Sequence, residues 1–330
     1  MSDKKYLAFD FGAESGRAIL GTLAEGKLTL EEKHRFANPM GRMNGQLQWN
    51  LLAQWEHVKQ GLKNTRGIKL NGIGVDTWGV DFGLIDKAGN VLGNPVMYRD
   101  ARTTGVIEQT FTRVPADEIY SATGIQLMEI NTLYQLLAVA RQNPDLIKAA
   151  DKLLFMPDLF HYLLTGVAKS EFSIASTSQM YDPTRSRWAT EMLEKLDLPT
   201  RLLCDVVPSG TVLGDVKPDV AAECGIGATP VIAPGGHDTA SAVVSVPAQG
   251  ENWCYISSGT WSLMGVELAK PLINEKTRKY NYTNEGGVGG TIRLLSNIMG
   301  LWLVQECRRD FAKHGYEHSY AELTQMAGNA

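Results

Sequence analysis

The segment Gly235-Gly-His-Asp-Thr239 puts an imidazole, a carboxylate and a hydroxyl on consecutive residues. It follows the apolar run Pro230-Val-Ile-Ala233 and precedes Ala240-Ser-Ala-Val-Val244, the pattern of a strand running into a helix start. A carboxylate at such a junction can accept the proton of a substrate hydroxyl during phosphoryl transfer, so Asp238 is a candidate base. The same position also suits a helix N-cap, with His237 as an ordinary turn residue. No second His or Cys lies near His237, which argues against a metal site there.

Two further segments could cradle phosphate. Asp10-Phe-Gly-Ala-Glu-Ser-Gly-Arg17 lies between the strand signals Tyr6–Phe9 and Ala18–Leu23, and Ser257-Ser-Gly-Thr260 lies between Trp253–Ile256 and Trp261–Leu268. Backbone N–H groups in such turns can bind an anion without a lysine. Read as turns alone, Gly12, Gly16 and Gly259 need only supply tight geometry. Other nucleotide signatures are missing. No GxxxxGK[ST] occurs, and the near-misses to GxGxxG at Gly72, Gly225 and Gly287 each lack the third glycine. Asp76-Thr-Trp-Gly79 and Tyr98-Arg-Asp-Ala-Arg102 set polar groups beside aromatic ones, as a sugar ring requires, although a core Trp78 and a surface arginine cluster would give the same pattern.

The elements that must position these residues follow from periodicity. Strands are expected at Leu28–Phe36, Gly72–Val75 and Phe82–Ile85, with a turn at Asp86–Asn90. Helices are expected at Leu51–Lys63, Thr132–Ala140, Asp158–Leu164 and Thr190–Leu196, within a helical period that runs from Ala116 to Gly166. Ser170–Trp188 reads as loop-rich, the aromatic run Leu154–Tyr162 as core, and Glu306 with Arg308–Asp310 as a solvated helix face. The two glycine-bearing hairpins resemble one another, which predicts a duplicated α/β architecture with a boundary near 245. The second unit is short, and by symmetry with the first it is expected to lack roughly 150 residues.

Composition narrows the classes. At 330 residues, 44% hydrophobic and 21% charged, the chain has the profile of a globular protein larger than one typical domain. Its formal net charge of -4 offers no basic footprint for nucleic acid and no polybasic membrane patch. Cys204, Cys224, Cys254 and Cys307 form no CxxC pair and are read as buried free thiols. No signal-like or membrane-length apolar run occurs, so a cytoplasmic protein is expected.

Taken together and in this order, the segments resemble the FGGY carbohydrate kinases across essentially the whole chain. Asp10–Arg17 is similar to that family's first phosphate hairpin, Gly74–Phe82 and Tyr98–Arg102 to its sugar segments, Gly235–Ser241 to its catalytic segment and Ser257–Ser262 to its second phosphate hairpin. Pro157-Asp158, Leu163–Gly166 and Ala175–Tyr181 match landmarks between them. Thr283-Asn-Glu-Gly-Gly with Asn297–Gln305 is most similar to members acting on L-rhamnulose.

The resemblance implies two actin-like, ribonuclease-H-like domains, 1–245 and a truncated 246–330, with ATP and a sugar in the cleft between them. Ala13, Glu14, Ser15, Gly16, Arg17, Thr260 and Gln305 would contact ATP. Gly79, His237, Asp238, Thr239 and Asn297 would hold the sugar, and Asp238 would be the base. Asp10 would meet Mg²⁺ through water. The implied reaction is ATP-dependent phosphorylation of L-rhamnulose at C1 in L-rhamnose catabolism, by a monomer or homodimer without nucleic acid or membrane partners. A kinase for L-fuculose or xylulose, and a non-catalytic sugar- or nucleotide-binding fragment, are the alternatives. Glu14 departs from the family pattern, since a carboxylate beside phosphates repels them unless it points away. The family's adenosine-binding segment lies beyond position 330, so at most trace kinase activity is expected of this chain alone. Full-rate turnover of L-rhamnulose by the 330-residue chain would overturn that expectation.

Overall fold

The computed structural model of the chain describes residues 3–250 and 252–330. The strands that build its larger sheets and frame the cleft are, in chain order, β1 Lys4–Phe11, β2 Ser15–Ala24, β3 Lys27–Ala37, β4 Gly72–Thr77, β5 Phe82–Asp86 and β6 Ala150–Phe155, then β7 Val212–Asp215 and β8 Pro230–Ile232. A second group follows: β9 Tyr255–Ser258, β10 Trp261–Leu268, β11 Thr283–Gly286 and β12 Ile292–Met299. The first sheet has the order β7-β8-β4-β1-β2-β3, and the second β9-β10-β12-β11. In the first, β1 runs parallel to β4 and β4 to β8, while β1, β2 and β3 form an antiparallel meander. The second is wholly antiparallel.

Alternation along β1 turns Leu7, Phe9 and Phe11 into the core, where they meet Val58 and Leu62 of the helix α1, Leu51–Lys63. Asn50 caps that helix by accepting from the Ala53 N–H at 3.1 Å. Gly61 is what lets helix and strand approach so closely. A Cβ there would lie 2.5 Å from Phe9 Cε1 and 2.9 Å from Ala18 Cβ. The helix α2, Met156–Thr165, covers the strands' other neighbourhood, with Phe160 stacked on Phe11 at 4.8 Å between centroids. Its His161 accepts the Val75 N–H of β4 at Nε2, 3.2 Å away, and burial lowers this imidazole's pKa to about 3, leaving it neutral.

Several expectations are corrected. β6 lies inside the stretch with a helical period and pairs with β5, because Leu153, Leu154 and Phe155 are buried on both faces and a fully apolar run does not reveal its period. The hairpin formed by Met40–Met43 and Gln46–Trp49 is an addition, as is the short helix Phe172–Ser176 in the stretch read as loop. The second hairpin's first strand starts at Tyr255 rather than Trp253. Cys204 and Cys224 are buried, whereas Cys254 and Cys307, outside the main core, are exposed. Among the described residues no helix is long and apolar enough to cross a membrane. The second sheet leaves Ile256, Met264 and Ile298 exposed and buries only a small cluster around Tyr255, Leu263 and Leu295.

Gly61→Val should overpack the junction of α1 with β1. We expect a loss of about 2 kcal/mol, read as a lower urea midpoint at unchanged slope.

Candidate active site

Register brings the acids together. Parallel pairing of β1 with β4 sets Asp10 beside Asp76 and Phe11 beside Thr77. Thr77 then bridges to His237, its N–H donating to the Gly236 carbonyl at 2.9 Å, so the loop after β8 continues the row. Asp10, Asp76 and Asp238 thereby face one cleft of 1340 Å³, larger than the roughly 300–1,000 Å³ of a single small-molecule site. Burial, and then the charges of Asp10 and Asp238, push the Asp76 carboxyl well above the usual range. Burial also raises Asp238, helped by the charge of Asp10 and opposed by His237 and by hydrogen bonds from Thr239. Asp238 is the first residue of the helix Asp238–Val244, and its cap is His237, so the carboxylate does not serve as an N-cap.

The loop itself is held by Glu171, a fully buried carboxylate. Its Oε2 accepts from the N–H groups of Ser173, Ile174 and Gly236 and from the Ser173 hydroxyl, while Oε1 accepts from Ser209 Oγ at 2.6 Å. Ser173 Oγ in turn accepts the His237 N–H at 3.1 Å. Five donors on one carboxylate offset its desolvation and fix the approach of Gly236 to β4.

The first hairpin turn is anchored from beneath. Asn38 donates its side-chain N–H to the Gly12 carbonyl and its backbone N–H to the Glu14 carbonyl, each at 2.9 Å, and buried Gln54 holds Asn38 at 2.6 Å. Gly16 has no room for a side chain, since a Cβ would fall 2.4 Å from the Phe36 ring. Arg17 donates from Nε and Nη2 to Asp10 Oδ2 at 3.0 and 2.8 Å, leaving the other carboxyl oxygen without a protein donor among the described residues. At the second hairpin, the Gly259 N–H donates to the Trp261 carbonyl at 2.7 Å, and Gln305 Nε2 reaches Thr260 Oγ1 at 3.4 Å. Glu14 pairs with Arg309 of the helix Trp302–Lys313 at 3.5 Å, which ties the first hairpin to that helix. Glu306, Arg308 and Asp310 lie on that helix's exposed face.

Opposite lies a wall of rings and amides. Trp78 and Tyr98 line the cleft, and Trp78 packs on buried Trp49 at 4.2 Å. Asp81 ties them down, its Oδ2 accepting from Trp49 Nε1 at 2.6 Å, Trp78 Nε1 at 2.9 Å and the Tyr98 N–H at 3.3 Å. Val80 beside it has φ of +68°, a left-handed conformation costly for a β-branched residue. Thr132 and Gln135 hold its carbonyl and Thr177 its N–H. At Gly79, a Cβ would stand 3.4 Å from His237 Nε2, so the missing side chain keeps open the space beside the imidazole. Asn297 donates to Gln126 Oε1 at 2.9 Å across the cleft. Of the segment Tyr98–Arg102, only Tyr98 lines the cleft. Arg99 sits against the rings of Tyr98, Trp261 and Trp302, 5.2 to 5.5 Å from each, and Asp100 and Arg102 brace Leu47 and Gln135.

All the residues expected at the site, Asp10, Ala13–Arg17, Gly79, His237, Asp238, Thr239, Thr260, Asn297 and Gln305, line this one cleft. Sequence reasoning assigned no role to Glu171, Gln126, Glu285 or Arg293. Arg293 carried a readable signal, a lone charge inside the apolar strand Ile292–Leu295. Among the described residues no cluster of three or more His, Cys, Asp or Glu side chains could cage a metal by itself. The free Asp10 oxygen facing the hairpins instead suits a cation that brings its own waters.

A cleft of acids between two glycine-bearing hairpins is an arrangement able to serve phosphoryl transfer. The chain belongs to the FGGY family of carbohydrate kinases, whose N-terminal domain model matches residues 5–245 and whose C-terminal domain model matches 254–330. Its fold is that family's actin-like, ribonuclease-H-like one. It is 46% identical to the rhamnulokinase of Bacteroides thetaiotaomicron over 97% of this chain and 66% of that protein. The rhamnulokinase of Oceanobacillus iheyensis is 42% identical over 97% of this chain and 68% of its own length. The chain thus spans about two thirds of the length of the curated relatives it matches. Among solved structures it resembles a xylulose kinase from Lactobacillus acidophilus, TM-score 0.81 at 17% identity, covering 92% of this chain and 62% of that one. It also resembles a Plasmodium falciparum glycerol kinase with ADP, TM-score 0.81 at 13% identity, covering 99% and 67%.

Burial raises the Asp81 carboxyl to about 6, against the pull of bonds from Trp49, Trp78 and Gln135 and the Arg102 charge. Because the folded value lies above the unfolded one, this group's contribution to stability is complete below the unfolded value, near about 4, and is lost as pH rises through about 6. Between about pH 4 and about pH 7, wild type should lose about 3 kcal/mol more than Asp81→Asn in urea titrations, and parallel pH profiles would refute this.

Proposed function

We propose that this chain carries the catalytic cleft of a kinase that phosphorylates L-rhamnulose at the C1 hydroxyl, with ATP as donor. The observation that carries the reading is the convergence of Asp10, Asp76 and Asp238 on the cleft that both hairpins face. The name rhamnulokinase borne by the curated relatives supports the choice of sugar.

In this reading the sugar lies between Trp78, Tyr98 and the pair Gln126–Asn297, with Gly79, His237 and Thr239 around its reacting end. Asp238 takes the proton of the C1 hydroxyl as its oxygen attacks the γ-phosphorus. A carboxyl raised by burial is a better proton acceptor than one in water, which favours transfer near neutral pH. The bond from the γ-phosphorus to the bridging oxygen breaks, and ADP leaves. Backbone N–H groups of Ala13–Arg17, the Thr260 hydroxyl and Gln305 would face the nucleotide. Mg²⁺ would be held by Asp10 through water and would supply charge neutralisation on the phosphates. Because the protein makes no covalent bond in such a transfer, positioning and electrostatics supply the acceleration.

Asp238→Asn should lower kcat by about two orders of magnitude or more with the sugar KM within about threefold. Coupled ADP release from the complete gene product across L-rhamnulose, L-fuculose and D-xylulose measures both this and the choice of sugar. Near-normal kcat in the variant would remove Asp238 from the role, and a preference for another ketose would overturn the assignment of L-rhamnulose.

A further inference from the structure

His237 stands between the two sheets, with partners on each ring nitrogen. Its Nδ1 lies 3.0 Å from Arg293 Nη2 and 3.2 Å from Glu285 Oε2, and these two are themselves 3.2 Å apart. Its Nε2 lies 3.4 Å from Asp238 Oδ1. His237 and Asp238 belong to the loop after β8 in the first sheet, whereas Glu285 and Arg293 face each other across β11 and β12 of the second. Arg293 is completely buried, with its Nε bonded to the Gly286 carbonyl at 2.9 Å.

A guanidinium can only donate and an ionised carboxylate can only accept, so the ring's single proton must choose an end. With the proton on Nε2, the ring donates toward Asp238 and its bare Nδ1 accepts from Arg293. The two hydrogens on Nη2 then serve Nδ1 and Glu285 together. With the proton on Nδ1, a ring N–H opposes an arginine N–H, and the bare Nε2 opposes the Asp238 carboxylate. The first arrangement satisfies both ends, the second only the contact with Glu285.

We infer that Arg293, held by Glu285, is a positioning residue that fixes His237 in the Nε2–H tautomer and so aims an N–H at the carboxylate of Asp238. Glu285 keeps the guanidinium in place. Its Oε2 accepts from Arg293 Nη2 at 3.2 Å, opposite it on the neighbouring strand. The loop after β8 in one sheet therefore takes its proton arrangement from the other, and the imidazole N–H faces Asp238, beside the donors of Thr239, only while the sheets are in contact. The catalytic consequence rests on the proposed role of Asp238 as base, whereas the tautomer does not.

The test is two-bond ¹H–¹⁵N correlation spectroscopy of histidine in the 330-residue chain near neutral pH, with the His237 signals identified by their loss in His237→Gln. Wild type should show protonated Nε2 and bare Nδ1. A protonated Nδ1, whether in the other tautomer or in an imidazolium, overturns the inference without any mutation. Arg293→Met should move the proton to Nδ1, and Arg293→Lys, which can still donate, should keep it on Nε2. An unmoved tautomer in a folded Arg293→Met chain overturns the inference. In the complete gene product, Arg293→Met should lower kcat by ~10–100-fold while the sugar KM stays within ~3-fold, with partial rescue by Lys. A change confined to KM would sink the link to Asp238. If the wild-type gene product transfers no phosphate to any ketose, the kinase reading fails while the spectra still decide the tautomer.

Discussion

Like charge at close quarters is the constraint that organises this protein. Parallel pairing of β1 with β4, extended by the bridge from Thr77 to His237, sets three carboxylates against one cleft. Left alone, such a cluster would repel both itself and any anionic substrate. Each member meets a different answer. Arg17 binds Asp10 with two N–H groups, burial raises the pKa of Asp76, and Asp238 has His237 and Thr239 beside it. One row of aspartates thereby yields three chemically distinct groups.

A second set of buried polar groups does the holding. Glu171 collects five donors to pin the loop after β8, Asp81 collects the indoles of Trp49 and Trp78 to pin the aromatic wall, and Asn38 pins the first hairpin turn. Such groups are expensive to bury and contribute little net stability beside an apolar substitute of equal volume. What they supply is direction. A hydrogen bond fixes an angle as well as a distance, and the cleft needs its loops at fixed angles more than it needs additional burial.

The hairpins, the strand before Gly235 and the long first helix were legible because each carries local chemistry: alternation, a turn glycine or a cap. Asp238 and the residues of both hairpin turns were legible for the same reason, as motifs contiguous in the chain. Strand β6 was hidden because Leu153–Phe155 is apolar on every side, which erases the difference between a period of two and one of 3.6. Glu171, Gln126 and Glu285 were hidden for another reason. Their partners stand far along the chain, at Gly236, Asn297 and Arg293 or His237, and no local pattern records a contact that only the tertiary fold creates. Arg293 was the intermediate case, conspicuous as a charge within an apolar strand but mute about what it faces.

The left-handed backbone at Val80 has a consequence for how the molecule assembles. Nothing within the local sequence favours that conformation. The groups that enforce it come from Thr132, Gln135 and Thr177, fifty to a hundred residues downstream. Until those segments dock, Val80 gains by relaxing to an ordinary extended or helical conformation, recovering about 1–3 kcal/mol. The turn beside Trp78 therefore owes its shape to segments distant in the chain rather than to its own residues.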